Sequence, residues 1–186
     1  MLYPDLSPYE YSALNSPAEL LNVGWLDSGN PFPSGVVPAK FVDQLVWLTV
    51  NFTTNLYRGW HDCAFCDCHN LSPLDQDWIG EGLTKREGRV SLGPHRHFGP
   101  HFLIAGEMAH LIGHGSVFVM SLCANRCFVA PDLLIHYVDE HDYLPPEEFI
   151  EAVMEMTEGR AKRALRFARA CLGESIRDPD EERLGC

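Results

Sequence analysis

The chain has 186 residues, of which 26 are acidic and 14 are basic, so its formal net charge is −12. A chain of this length is typical of one domain with a sizeable buried core. The acidic excess argues against general binding to nucleic acids, which needs clustered Lys and Arg, and against docking on anionic membranes. Every apolar run is also much shorter than the ~20 residues of a membrane-spanning helix.

The cysteines and the first residues indicate a cytoplasmic protein. Seven cysteines are present, whereas secreted disulfide scaffolds are usually shorter and evenly paired. The opening MLYPDLSPYEYSALNSP has neither the basic start nor the apolar stretch of a signal peptide. We therefore expect reduced thiols, some of them metal ligands.

The first third of the chain predicts extended segments followed by a helix. Residues 1–39 are rich in Pro, Gly, Ser and Asn, but interleaved aromatic residues indicate that they pack on a core. Pro38 can occupy a helix start, and Phe41 and Leu45 follow at helical spacing. The β-branched and aromatic residues of 49–56 then predict a short strand.

The middle of the chain predicts a long loop and a β-hairpin. Residues 70–100 are Gly-rich, charged and irregular, which indicates a loop insertion. The pattern of 101–112 fits a helix and a strand equally well. The run 116–122 has strand composition and Asn125 marks a turn, so 116–130 is predicted to be a hairpin.

The last third predicts three helices. The first spans 131–141 and must end before two prolines, where a second helix begins. Gly159 separates that helix from a basic one over 160–172, and 173–186 form a flexible polar tail. The basic side chains indicate a solvated face or, alternatively, a helix that docks on a partner. The sequence thus predicts one α+β domain over 1–172, with a small antiparallel sheet and about four helices.

A C-x-x-C pair, Cys63 and Cys66, is the strongest signal for a functional site. Two residues between thiolates allow a tight turn to aim both sulfur atoms at one tetrahedral ion. Zinc (Zn2+) is the expected metal. A redox dithiol is an alternative, although such pairs usually open a helix after a strand, and two plain buried cysteines are another.

Two histidines on the predicted 131–141 helix complete the metal-site hypothesis. His136 and His141 have the spacing used with C-x-x-C in zinc sites. On a regular helix they point about 140° apart, so they can share an ion only if the helix loosens near its end. His136 with Glu140 is the regular alternative; His136 can also be a core histidine, and His141 a helix-end cation favoured by the dipole. Reserve ligands near the cysteine turn are His61, Cys68 and His69.

Weaker candidates lie elsewhere in the chain. Cys123 and Cys127 flank the hairpin turn as two small apolar residues, a disulfide on oxidation or a second soft metal site. The histidine-rich segment from His95 to His101, with His97 between them, reads as a solvated loop or, alternatively, as a catalytic metal site. Signatures of serine hydrolases, P-loop proteins and dinucleotide-binding folds are missing from the sequence.

Three segments together resemble a group of small uncharacterised bacterial proteins: LNVGWLDSGNPFPSGVVP, RGWHDCAFC and APDLLIHYVDEHDYLPPEEFIEAV. In that group a G-[FY]-H-x-C-x-x-C segment precedes a hairpin and an A-P-x-L-I-x-H-Y-[IV]-x-x-H-x-Y-x-P-P-x-x-F motif. The resemblance covers 1–69 and 114–154. Carried over to this sequence, it highlights five residues: His61, Cys63, Cys66, His136 and His141.

The order of cysteine turn, hairpin and helix predicts a treble-clef-like zinc knuckle and leaves two classes of function open. The first is a non-catalytic module, regulatory or accessory, that binds a protein or a small molecule and uses zinc for folding. The second is a zinc-dependent enzyme of the hydrolase or lyase type, with an open coordination position. Its general base would be Glu107, Asp139 or Glu140.

Overall fold

A computed structural model describes residues 3–10, 16–56, 61, 63–66, 91–92, 102–105, 108–121 and 125–173. Most of the predicted loop insertion at 70–100 and of the predicted tail at 173–186 lies outside these residues. Several candidate residues also lie outside them: Cys68, His69, His95, His97, His101, Glu107 and Cys123.

The described residues form four helices and two small sheets, which confirms the predicted α+β class. The helices are α1 (Ala39–Phe52), α2 (Leu134–Glu140), α3 (Glu147–Met154) and α4 (Glu158–Cys171). In α1, α3 and α4 the apolar residues recur at helical spacing, so each of these helices buries one side against the rest of the molecule. The short α2 is buried all round from Leu134 to Val138. No helix within the described part of the chain has the length and apolar character needed to span a membrane.

The main sheet has the strand order β1-β6-β5, formed by β1 (Glu19–Asn22), β5 (Ser116–Met120) and β6 (Arg126–Pro131). β5 and β6 pair antiparallel, as the predicted hairpin requires. β1 pairs with β6 in parallel, so the sheet is mixed and not antiparallel throughout. An ion pair of 3.0 Å between Arg126 Nε and Glu19 Oε2 fixes the start of this parallel pairing.

A second, antiparallel sheet comprises β2 (Ser91–Leu92), β3 (Phe102–Ala105) and β4 (Met108–Leu111) in that order. The segment 101–112, which fitted helix and strand equally well, therefore contains two strands. The sequence alone does not separate these possibilities because a short apolar run suits a buried strand as well as a buried helix.

The core lies between the main sheet and helices α1, α2 and α3. Its fully buried large side chains come from every one of these elements, including Phe41, Phe128, Leu134 and Phe149. Phe149 meets Phe41 and Phe128 edge to face, with ring centroids 6.1 and 5.7 Å away. This packing holds the hairpin against α1 and α3, and it fixes the sheet that carries the start of α2.

Three predicted boundaries are wrong. The strand predicted at 49–56 is helical as far as Phe52, because α1 continues to bury Leu48 and Thr49, and this packing outweighs the β-branched composition. The helix predicted from residue 131 begins at Leu134, since Pro131 still pairs with Ser116 in the hairpin.

The third boundary concerns Gly159, which does not separate two helices but lies within the first turn of α4. Thr157 is the N-cap of this helix, and its side chain accepts a hydrogen bond of 3.4 Å from the backbone N–H of Arg160. Glu158 adds a favourable charge in the first turn. The N-cap therefore starts the helix one residue before the glycine.

Candidate metal centre

The C-x-x-C segment forms a tight turn. The backbone N–H of Cys66 donates to the carbonyl of Cys63 at 3.4 Å, and the N–H of Phe65 points at Cys63 Sγ at 3.4 Å. Two residues upstream, the N–H of His61 donates to the carbonyl of Gly113 at 2.6 Å. The turn is thus anchored to the loop that precedes β5 and presents both sulfur atoms towards α2.

The two histidines reach the turn from different kinds of backbone. His136 lies on α2 and is fully buried. His141 is the C-cap of α2, with φ −122° and ψ 11°, and is therefore no longer helical. Because the helix ends at Glu140, the separation of about 140° that a regular helix would impose does not apply. The loosening that the sequence hypothesis required is present at this residue.

The four predicted ligands converge. Their donor atoms (Sγ of each cysteine and one ring nitrogen of each histidine) all lie within 4.8 Å of one another. Cys63 Sγ is 3.2 Å from His141 Nε2, and Cys66 Sγ is 3.4 Å from Nε2 of both histidines. The two Nε2 atoms are 3.3 Å apart. The four residues therefore lie close enough to hold one metal ion.

These separations can be compared with the edges of a tetrahedral zinc site. Metal–sulfur bonds of about 2.3 Å and metal–nitrogen bonds of about 2.0–2.1 Å imply edges of roughly 3.3 Å between nitrogens and roughly 3.5 Å between sulfur and nitrogen. The observed nitrogen pair, at 3.3 Å, equals the first value, and the sulfur–nitrogen pairs, at 3.2–3.4 Å, are slightly shorter than the second. The four measured separations are thus compatible with a Cys2His2 zinc site.

Aromatic rings surround the cluster. Phe65, within the cysteine turn, packs against His141 with ring centroids 5.2 Å apart and against Tyr137 at 5.9 Å. Phe32 covers Phe65 from the other side at 5.2 Å. Burial raises the pKa of Tyr137, and the neighbouring Cys63 and Cys66 raise it further. A low-polarity wall of this kind strengthens electrostatic attraction between thiolates and a cation.

A partly buried pair of hydrogen bonds holds the backbone that follows His141. The Tyr143 hydroxyl donates to Asp5 Oδ2 at 2.8 Å, and the other oxygen of Asp5 accepts the N–H of Gly24 at 2.8 Å. Asp142, which lies between His141 and Tyr143, takes the left-handed conformation with φ 53°, and this reverses the direction of the chain. Asp5 therefore ties the N-terminal segment to the end of α2.

The other candidate ligands that the structure describes are not part of the cluster. Among the described residues, His61 is exposed and packs edge to face on Trp25, with centroids 6.5 Å apart. Asp139 and Glu140 are exposed at the end of α2 and are not members of the four-residue group. The alternative pairing of His136 with Glu140 is therefore not the one that the structure brings together.

Asp132 is a buried carboxyl group with a shifted pKa that the sequence did not single out. It has 1 % exposure, and its Oδ1 accepts the N–H of Gly113 at 2.7 Å. His114 Nδ1 lies 3.4 Å from Oδ2 of Asp132. Burial raises the pKa of Asp132 to about 6 against the lowering effect of its backbone hydrogen bonds, and burial lowers the pKa of His114. The only sequence signal was an acidic residue directly after the apolar strand β6.

Two further predictions concern cysteines and the basic helix. Cys171, the last residue of α4, lies near Cys127: burial and the proximity of Cys171 both raise the pKa of the Cys127 thiol. The predicted pairing of Cys127 with Cys123 stays untested, because Cys123 lies outside the described residues.

The basic side chains of α4 include one that contacts the sheet. Arg160 donates to the carbonyl of Met120 at 3.2 Å, so this basic residue holds the helix to β5.

An α+β fold with a Cys2His2 cluster that can hold a metal ion defines the class of this protein. The sequence profile of DUF7919, a domain of unknown function, matches residues 1–154, and the chain therefore belongs to the DUF7919 family. The match includes the cysteine turn and α2 and ends at the last residue of α3, before α4. No curated protein and no solved structure matches the chain.

Membership of this family agrees with the resemblance to uncharacterised proteins that the sequence indicated. The two motifs on which that resemblance depended stay a prediction. The family match identifies residues 1–154 as the matched part of the chain, but it does not identify a motif within them.

Proposed function

We propose that Cys63, Cys66, His136 and His141 bind one zinc ion, and that this ion is structural. The observation that carries the proposal is the mutual spacing of the four donor atoms, all within 4.8 Å. Two thiolates and two imidazoles in a tetrahedron are the donor set that favours zinc over hard cations such as Mg2+ or Ca2+.

The number of donors favours a structural ion over a catalytic one. Structural zinc sites are closed by four protein ligands, whereas catalytic sites use three and leave a position for water or substrate. Here four side chains supply the complete tetrahedron. The alternative function, a zinc-dependent hydrolase or lyase, requires one of them to leave the metal.

The ion would connect parts of the chain that are distant in sequence. The sulfur and nitrogen atoms that it joins belong to residues 70–78 positions apart. Closing a loop of that length costs chain entropy, and in metal-dependent domains the free energy of binding contributes directly to folding. We therefore assign to zinc the attachment of the cysteine turn to the end of α2.

The cellular role that fits a structural zinc is that of a binding, regulatory or accessory module, with a protein or a small molecule as its partner. We place it in the cytoplasm, where thiols stay reduced and available as ligands. In this proposal residues 1–172 act as one domain.

Metal analysis tests the site. We expect about one zinc per chain in the purified wild type and none in a Cys63→Ser/Cys66→Ser variant, whose melting temperature falls because the turn loses its link to α2. A His61→Gln variant is the matched control, since this residue lies beside the turn but outside the cluster, and it keeps its zinc. A double variant that melts at the wild-type temperature would show that the ion is not structural.

Cobalt substitution distinguishes the two classes of function. Co2+ in a closed Cys2His2 site gives a tetrahedral spectrum that does not change when azide or cyanide is added, because no position is open. A spectrum that shifts with added azide would support the enzyme.

A further inference from the structure

The solvent side of the metal cluster is formed by one cysteine and one histidine. Cys63 and His136 have 0 % exposure, whereas Cys66 and His141 are both partly exposed. A small solute that approaches the site therefore meets Cys66 before Cys63. The two thiolates therefore differ in how easily a dissolved oxidant can reach them.

We propose that the cysteine pair makes the zinc site sensitive to oxidants: hydrogen peroxide converts the two thiolates into a disulfide and releases the ion. The inference rests on the proposed zinc site and adds its regulation. Cys66 is the residue attacked, and Cys63 is the residue that resolves the oxidised sulfur.

We expect peroxide to oxidise the metal-site cysteines before the other described cysteines, because those are buried. Cys127 and Cys171 are buried, and burial together with Cys171 raises the pKa of Cys127. A neutral thiol is a poor nucleophile towards peroxide, because the thiolate is the reactive form. Of the four described cysteines, only Cys66 would combine a metal-bound thiolate with partial access from solvent.

The chemistry proceeds in two balanced steps. The Cys66 thiolate attacks one oxygen of hydrogen peroxide, the O–O bond breaks, and the departing hydroxide takes a proton to give water and a sulfenic acid. The Cys63 thiolate then attacks that sulfur, the S–S bond forms, the S–O bond breaks, and a second hydroxide and proton give water. Two thiolates are oxidised, one peroxide is reduced, and zinc keeps its charge.

The geometry of the turn permits the second step. The sulfur atoms lie within 4.8 Å, and side-chain rotation must bring them to the ~2.05 Å of a disulfide. Their residues are already joined by the backbone hydrogen bond from Cys66 N–H to the Cys63 carbonyl. Once the disulfide forms, His136 and His141 are the only donors of the four that remain, and two imidazoles do not retain the ion.

Release of the ion also removes the link between the turn and α2. The contacts that remain between them include the aromatic packing of Phe65 against Tyr137 and His141. We therefore expect the oxidised protein to melt at a lower temperature than the reduced, zinc-bound protein. Reduction by dithiothreitol in the presence of zinc restores the original melting temperature.

The test treats the zinc-bound full chain with hydrogen peroxide and follows the released ion with a chromogenic zinc chelator. We expect one zinc released for each Cys63–Cys66 disulfide found by differential alkylation and mass spectrometry, while Cys127 and Cys171 stay reduced. A protein that is oxidised at Cys127 or Cys171 while its zinc stays bound overturns the inference. So does release accompanied by sulfinic acid at Cys66 without a disulfide.

Two variants sharpen the test. Cys66→His supplies a third imidazole and keeps a donor for zinc, but it cannot form the disulfide, so peroxide no longer releases the ion reversibly. Cys171→Ala is the matched control and releases zinc like the wild type. Equal reversible release from Cys66→His would contradict the proposed chemistry.

The outcomes separate this inference from the zinc site itself. Wild-type protein that contains zinc and retains it under peroxide overturns the redox inference alone. Wild-type protein that contains no zinc when purified overturns both.

Discussion

At the scale of single residues, Asp132 shows how burial changes the chemistry of a carboxyl group. It lies at 1 % exposure between β6 and α2, where its two oxygens face the N–H groups of Gly113 and His114 at 2.7 and 3.4 Å. These donors favour the ionised form, but the cost of removing a charge from water exceeds their effect. The pKa of Asp132 rises from 3.8 to about 6 as a result.

The titration of Asp132 is a direct prediction. We expect its carboxyl 13C resonance to titrate with a midpoint near 6 in the folded protein, and Asp132→Asn to lack this transition. Because the folded protein binds this proton more tightly than the unfolded chain, the contribution to stability is complete below pH 3.8 and is lost as the pH rises to about 6. A midpoint below 4.5 would mean that the backbone donors outweigh burial. Zinc content is measured across the same pH range as a control.

At the scale of elements, the end of α2 decides whether the two histidines can meet. The helix ends at Glu140, His141 is its C-cap, and Asp142 is left-handed with φ 53°. The N–H groups of His141 and Tyr143 both donate to the carbonyl of Tyr137, at 3.2 and 3.1 Å. This closing turn swings the His141 ring towards His136, which an additional helical turn would have prevented.

Two glycines in different elements provide a matched prediction about backbone conformation. Gly24, two residues after the end of β1, has φ +73°, and an added Cβ would collide with the buried side chain of Leu134 on α2. We expect Gly24→Ala to lower the free energy of unfolding by at least about 1–2 kcal/mol, since a left-handed alanine is strained even without the collision.

Gly159 is the control for this pair. It lies in the first turn of α4, and a Cβ there would meet nothing within 4 Å. Gly159→Ala should raise the free energy of unfolding by roughly 0.5–1 kcal/mol, because alanine has less conformational freedom to lose in a helix. Urea denaturation of both variants measures the two changes, and an equal sign for both would contradict the assignment of their environments.

At the scale of the whole molecule, two other parts of the chain meet at the end of α2. The N-terminal segment reaches the end of α2 through Asp5 and Tyr143, and the cysteine turn reaches it through His136 and His141. α4, which follows the family domain of residues 1–154, packs on β5 and α1 instead. If the proposed zinc ion binds, the elements that it joins all belong to the family domain, and α4 lies outside that domain.

Metal removal tests this arrangement. We expect a strong chelator to lower the melting temperature of the wild type and excess zinc to restore it, because a ligand that binds only the folded state stabilises it by about 2.7 kcal/mol at one hundred times its dissociation constant. The Cys63→Ser/Cys66→Ser variant should respond to neither treatment. Identical wild-type melting curves with and without the chelator would contradict a metal-dependent fold.

The sequence by itself determined the local features of this protein. Apolar spacing predicted α1 and α3, strand composition predicted the β5–β6 hairpin, and the two-residue gap predicted a turn with both sulfur atoms on one side. Each of these depends on residues within a few positions of one another, whose geometry the backbone alone restricts strongly. The histidine pair was also identified, together with the condition that the helix must loosen.

Only the tertiary structure decided the rest. The parallel pairing of β1 with β6 joins residues more than one hundred positions apart, and no local pattern encodes such a pairing. α1 continues through Phe52, against local propensity, because its apolar side packs in the core. The raised pKa of Asp132 likewise depends on burial, which only the tertiary structure produces. The same holds for the metal cluster: the chain supplied four suitable donors, but packing across 70 or more positions brought them close enough to hold one ion.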